Sequence, residues 1–124
     1  MDVIETAKQI EARIKLIDDT LHKIAEATKA KVETSANYEK QLALFIVGLE
    51  MGKEYKLDDE VVKHTTATTI DKKAKGLAWK ALLDMETAEC RYKGLILQLE
   101  SAQAQLNAYQ SIFRHLQNTT ENRG

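Results

Sequence analysis

Two heptad tracks in a chain without proline limit the fold more than any other feature. The first track is Val3, Ala7, Ile10, Ile14, Ile17, Leu21 and Ile24, resumed at Tyr38, Leu42, Phe45 and Leu49. The second is Ala74, Ala78, Ala81, Met85, Ala88, Tyr92, Leu95, Leu99, Ala102, Leu106, Tyr109, Phe113 and Leu116. Alternating steps of three and four residues put each track on one stripe of a helix. With proline missing, no residue type in the chain forces a break in the backbone hydrogen-bond ladder. The fold class that follows is all-α: a long antiparallel helical hairpin, coiled-coil-like, with a short connecting helix, forming a helical bundle by oligomerisation.

Local signals set the boundaries of a single domain over 1–124. Asp2 and Glu5 have the spacing of a capping box, and Gly52 is the first stop signal, so the first helix is expected over about 2–51. It would be about 75 Å long. Between Ile24 and Tyr38 the stripe positions are Thr28, Lys31 and Ser35. The register survives this polar stretch, which favours one continuous helix over a break near Ser35-Ala36-Asn37. A connection follows over about 52–68. Asp58 is placed to cap a short helix from Asp59 to about His64, with acids at its start and Lys63 and His64 at its end. Thr68 and Asp71 repeat the capping-box spacing, so the last helix is expected over about 69–117, stopped near Asn118. A polar tail occupies 118–124. Pairing the tracks antiparallel brings Val3 near Leu116, Leu21 near Leu99, and Phe45 near Ala74.

The end nearest the connection is apolar on every side of the helix. Leu42-Ala43-Leu44-Phe45-Ile46-Val47 has no polar face, and Leu77, Ala78, Trp79, Ala81, Leu82 and Leu83 are nearly as broad. One partner helix cannot cover such a segment. Either the connection folds over it through Val61 and Val62, or a second subunit does, and both can hold. The small area of two valines favours an oligomer or partner interface at Leu42, Phe45, Ile46, Leu49, Leu77, Trp79 and Leu82. A homodimer is the simplest assembly.

Charge argues against a general polyanion binder. Eighteen Lys and Arg face nineteen Asp and Glu, for a net charge of −1. Lys53, Lys56, Lys63, Lys72, Lys73 and Lys75 nevertheless crowd the apolar end, with Glu54, Asp58, Asp59, Glu60 and Asp71 between them. The interleaved acids favour an ordinary solvated surface. The alternative is a nucleic-acid-binding protein that uses this lysine-rich tip.

Signals for chemistry are weak. Glu86 and Glu89 have E-x-x-E spacing, as in all-helical metal-dependent nucleotide pyrophosphatases, but the acids that follow are Glu100 and Glu121, which do not form the second motif. His22, His64 and His115 lie too far apart for a helical ligand pair, and the glycines form no phosphate loop. Cys90 is the single cysteine, so no internal disulfide and no all-thiolate metal site can form. No catalytic residue, cofactor or metal is expected. The N-terminus lacks a basic segment before an apolar run, and Leu42–Leu49 is too short to span a bilayer, so the chain reads as cytoplasmic with no membrane partner.

From Thr68 to Gln117 the chain has a threonine-rich start, then Lys72-Lys73-Ala74, an alanine-rich heptad helix, Tyr92-Lys93, and the run Leu106-Asn107-Ala108-Tyr109-Gln110-Ser111. This stretch resembles small all-helical proteins of tailed bacteriophages and prophages encoded near recombination genes. The resemblance covers less than half of the chain. It implies a non-enzymatic phage accessory or adaptor protein in the host-cell cytoplasm. Such a protein would act through protein–protein interaction, in phage DNA metabolism or against a host factor.

Overall fold

A computed structural model of the chain describes residues 1–63 and 66–121, with the side chains of all but Thr120 and Glu121. The protein is mostly helical, and the expected all-α hairpin class holds: a long N-terminal helix packs on a long C-terminal one. The order is α1 (Val3–Glu50), β1 (Tyr55–Leu57), β2 (Glu60–Val62), a 3-10 turn (Ala67–Thr69), α2 (Ile70–Leu77) and α3 (Trp79–Glu121). The chain forms two compact units, one of Met1–Glu26 with Arg91–Gly124, the other of Ala27–Cys90.

Helix α1 begins and ends on the signals its sequence carries. The Glu5 amide donates to Asp2 Oδ1 at 2.8 Å, and the Asp2 amide reaches back to Glu5 Oε2 at 3.4 Å, which closes the capping box. The helix runs unbroken through Ser35-Ala36-Asn37. At its end Gly52 takes φ +82, the Lys53 amide donates to the Gly48 carbonyl at 2.9 Å, and the Gly52 amide donates to Leu49 at 3.1 Å. That pair of bonds is a Schellman cap, and it satisfies carbonyls the helix would otherwise leave open.

The connection departs from expectation. In place of a short helix from Asp59, residues Tyr55–Leu57 and Glu60–Val62 pair as an antiparallel β-hairpin, with Tyr55 opposite Val62 and Leu57 opposite Glu60. Asp58 and Asp59 form its two-residue turn, both at positive φ (48 and 67). That is the type I′ geometry whose twist suits a hairpin, and Asp tolerates it better than most residues. A helix starting at Asp59 would require that residue to leave the left-handed region. The expected helix end at His64 lies outside the described residues.

The last helix is also divided. Ile70–Leu77 and Trp79–Glu121 are separated at Ala78, whose φ −88 and ψ 16 leave the helical range two residues after Gly76. Hydrogen bonds still cross the junction, from the Ala78 amide to Ala74 and from the Leu82 amide to Ala78. The Thr68–Asp71 capping box does not form. The Thr66, Thr68 and Thr69 hydroxyls bond one another instead, 3.0 Å from Thr66 to Thr69, and Thr69 precedes α2 without a side-chain cap bond. At the far end α3 continues through Asn118 to Glu121, and the Thr119 hydroxyl donates to the His115 carbonyl at 2.9 Å. The expected stop near Asn118 is therefore overrun, while 122–124 lie outside the described residues.

In the Ala27–Cys90 unit the core is Leu49, Ile70 and Ala74, with Leu42, Phe45, Ile46, Tyr55, Val62 and Leu77 packed against it. Phe45 thus packs against the cluster that holds Ala74. Tyr55 meets Phe45 edge to face, with ring centroids 5.0 Å apart. Its hydroxyl lies against Gly48, where a Cβ would collide with it.

In the Met1–Glu26 and Arg91–Gly124 unit two helix segments pack antiparallel. Leu16 shares a groove with Ala102, and Arg13 stacks over Tyr109 at 5.7 Å from the ring centroid. The expected stripe of α3 is buried or half-buried along its whole length here, from Tyr92 through Leu95, Leu99 and Ala102 to Leu116. That of α1 is only half correct. Ile10, Ile17 and Ile24 are half-buried, but Ile14 and Leu21 are exposed. The row beside them holds buried Thr6 and Thr20 with half-buried Arg13 between, and Thr6 is fully enclosed. Threonine can stand there because each hydroxyl donates to the carbonyl four residues back, Thr6 to Asp2 and Thr20 to Leu16, both at 2.7 Å. Both threonine hydroxyls are thus satisfied within their own helix, and these two small side chains let the helices approach.

Candidate interaction surfaces

The sequence places one candidate interface at the apolar end of the hairpin. The structure buries Leu49 in the core of the Ala27–Cys90 unit and packs half-buried Leu42, Phe45, Ile46 and Leu77 against that core, together with Tyr55 and Val62 of the hairpin strands. Leu82 is half-buried on α3. Trp79 alone of this set is exposed, at 53%. The unit shows other apolar side chains outward: Leu83 on α3, Leu44, Val47 and Met51 at the end of α1, and Val61 on β2. A shallow groove of about 250 Å³ lies among Gln41, Phe45, Leu77, Ala78 and Ala81, with Lys80 and Asp84 at its rim.

The lysines divide by what they already touch. Lys73 is half-buried, and its Nζ donates to the Lys63 carbonyl at 2.7 Å, so it ties α2 to the strand rather than facing outward. Lys53 holds its ammonium 5.1 Å from the Tyr55 ring centroid, a cation–π distance. Lys56, Lys63, Lys72 and Lys75 are exposed.

For the remaining chemical groups the arrangement is plain. Among the described residues no three His, Cys, Asp or Glu side chains are grouped to hold a metal ion. His22 is engaged through Nδ1 with the Asp18 carbonyl at 2.8 Å. Cys90 is an exposed free thiol on α3. Glu86 is exposed and Glu89 half-buried on the same helix. Among the described residues no helix is long and apolar enough to cross a membrane.

The Met1–Glu26 and Arg91–Gly124 unit carries a surface that sequence reasoning assigned to the interior. Ile14 (46% exposed) and Leu21 (47%) lie beside the seam on α1, with Ile4 (68%) farther round the same side. On α3 an apolar groove is lined by Tyr92, Lys93, Ile96 and Leu97, the last 66% exposed. The signal for this surface was in the sequence. Thr6, Arg13 and Thr20 also repeat every seven residues, so α1 carries three adjacent rows suited to contact, where a two-helix seam takes two.

No protein-family model, curated protein or solved structure matches this chain.

Proposed function

We propose that this chain is a non-enzymatic accessory or adaptor protein that works by binding other proteins. Large apolar side chains turned outward in both units, Trp79 and Leu83 in one and Ile14, Leu21 and Leu97 in the other, are the observation that supports this reading. In the Ala27–Cys90 unit the surface offered to a partner is Trp79 with Leu83, since Leu42, Phe45, Ile46, Leu49 and Leu77 serve the unit's own core. The resemblance of Thr68–Gln117 to phage helical proteins directs the search for that partner to phage DNA metabolism and bacterial host factors.

The second reading, nucleic-acid binding, is supported by exposed Lys56, Lys63, Lys72 and Lys75. One pair of variants separates the two. Trp79→Asp with Leu83→Asp should abolish a cross-linked partner complex, while Glu at the four lysines should leave it intact. Gel shifts on single- and double-stranded DNA at low salt should show no binding. A salt-dependent shift that the lysine variant removes would replace the adaptor reading with the nucleic-acid one. Failure of wild-type protein to cross-link to any partner would end the adaptor reading.

A further inference from the structure

We infer that the first half of α1 has two packings against α3: the observed one, and a supercoiled one in which Ile14 and Leu21 turn into the seam while Thr6, Arg13 and Thr20 turn out of it. The change takes place within a single chain and needs no partner. Its use rests on the adaptor reading, because it decides whether Ile14 and Leu21 are offered to a partner.

Two periods compete along α1. A straight α-helix repeats every 3.6 residues, so residues ten turns apart share a face. Leu49 and Arg13 are so related, and so are Leu42 and Thr6. A left-handed supercoil repeats every seven residues instead. Five heptads separate Leu49 from Ile14, and Leu42 from Ala7. Burial follows the straight period. Leu49 is buried and Leu42 half-buried near the end of α1, and in the first half Thr6 is buried and Arg13 half-buried while Ile14 is exposed. The apolar side chains follow the heptad period, since the row of Leu49 and Leu42 returns at Leu21, Ile14 and Ala7. A seam through Ile14 and Leu21 therefore continues the row that the core already holds at Leu49. Ile10, Ile17 and Ile24 lie between the two competing rows and serve either packing. At about 100° per residue, exchanging the bordering rows takes a rotation of about 50°.

Neither packing satisfies every group. In the observed one the Arg13 Nε is buried without a hydrogen-bond partner, and Ile14 and Leu21 are left exposed. The rotation carries Arg13 to water and brings the two apolar side chains onto the stripe of α3. It gives up the stack of Arg13 on Tyr109, and it puts larger side chains where Thr6 and Thr20 let the helices approach. The threonines change sides without losing a hydrogen bond, because each hydroxyl is bonded within its own helix in either place. Gains that oppose one another across discrete side-chain rows give two packings in place of one.

Thiol labelling of the full chain tests the inference. Leu21→Cys in a Cys90→Ser background reports how open position 21 is to water. Thr6→Lys with Thr20→Lys removes the observed packing, which encloses both positions, and should drive the supercoiled one with helical content unchanged. Arg13→Leu with Thr20→Leu fills the observed seam and should hold it. The lysine variant should label about 10-fold or more slowly than the leucine variant. Equal rates, the reverse order, or loss of helical content in the lysine variant would each overturn the inference. So would labelling that slows as protein concentration rises, because a second copy would then be covering position 21. No partner enters the measurement, so each of these outcomes leaves the adaptor reading to its own cross-linking test.

Discussion

A Cβ at Gly48 would strike the Tyr55 hydroxyl, so the strand lies on α1 only because that helical position has no side chain. Gly48→Ala is expected to lower stability by about 1–3 kcal/mol in urea titration, since the collision outweighs the gain in helix propensity. Gly94 supplies the contrast. It sits inside α3 with nothing within 4 Å of its would-be Cβ, and Gly94→Ala should raise stability by about 0.5–1 kcal/mol. Arg13 poses the opposite problem. Its guanidinium stacks on Tyr109, but its Nε is buried with no hydrogen-bond partner. The desolvation of that nitrogen costs more than an exposed cation–π contact returns. Arg13→Met should therefore raise the melting temperature, by a stability gain of about 1 kcal/mol. A lower melting temperature would show that the ring contact dominates.

Among the elements, the β-hairpin rests most on its turn. Asp58 and Asp59 both hold positive φ, a conformation that Asn-Gly adopts at less cost. Asp58→Asn with Asp59→Gly should stabilise the Ala27–Cys90 unit by about 0.5–1 kcal/mol, and Asp59→Val should destabilise it by more, as read by thermal melts. This hairpin was legible in principle. Tyr55 and Leu57 alternate with polar residues, and Val61 and Val62 are β-branched. The acids at Asp58, Asp59 and Glu60 and the basic Lys63 fit the charge order of a helix equally well, and that reading hid it. The capping box and Schellman cap of α1 were legible because each depends on residues within one turn of the helix end. In α3 the burial track was legible along its length because Ala, Leu and aromatic residues occupy the buried rows and few others. The α1 track was half legible for the reverse reason. Hydrophobicity alone cannot separate a row turned toward α3 from a row turned outward. Thr6 and Thr20 are polar by type, yet they are buried with their hydroxyls bonded to their own helix.

For the molecule as a whole, the apolar side chains left exposed in each unit explain why the candidate sites were hardest to read. A surface that awaits a partner has the composition of a core, and only coordinates show which apolar residues the chain already covers. Leu49 is enclosed and Phe45 and Leu77 are half-buried against it, while Ile14, Leu21, Trp79 and Leu97 are exposed. The docking of the strands on the end of α1 has a kinetic consequence as well. Phe45, Gly48, Tyr55, Ile70 and Ala74 come together by closing short loops, whereas Arg13 meets Tyr109 only after most of the chain has been gathered between them. Short closures lose less entropy, so the turn region is placed to nucleate folding. Stopped-flow φ-values should be high for Phe45→Leu and Ile70→Val and near zero for Ile17→Val and Leu95→Ala. Equal values at the two ends would mean that the helices associate before the turn is made. On the first outcome, a ribosome releasing this chain has the start of its second long helix anchored before the matching half of the first has anything to pack against.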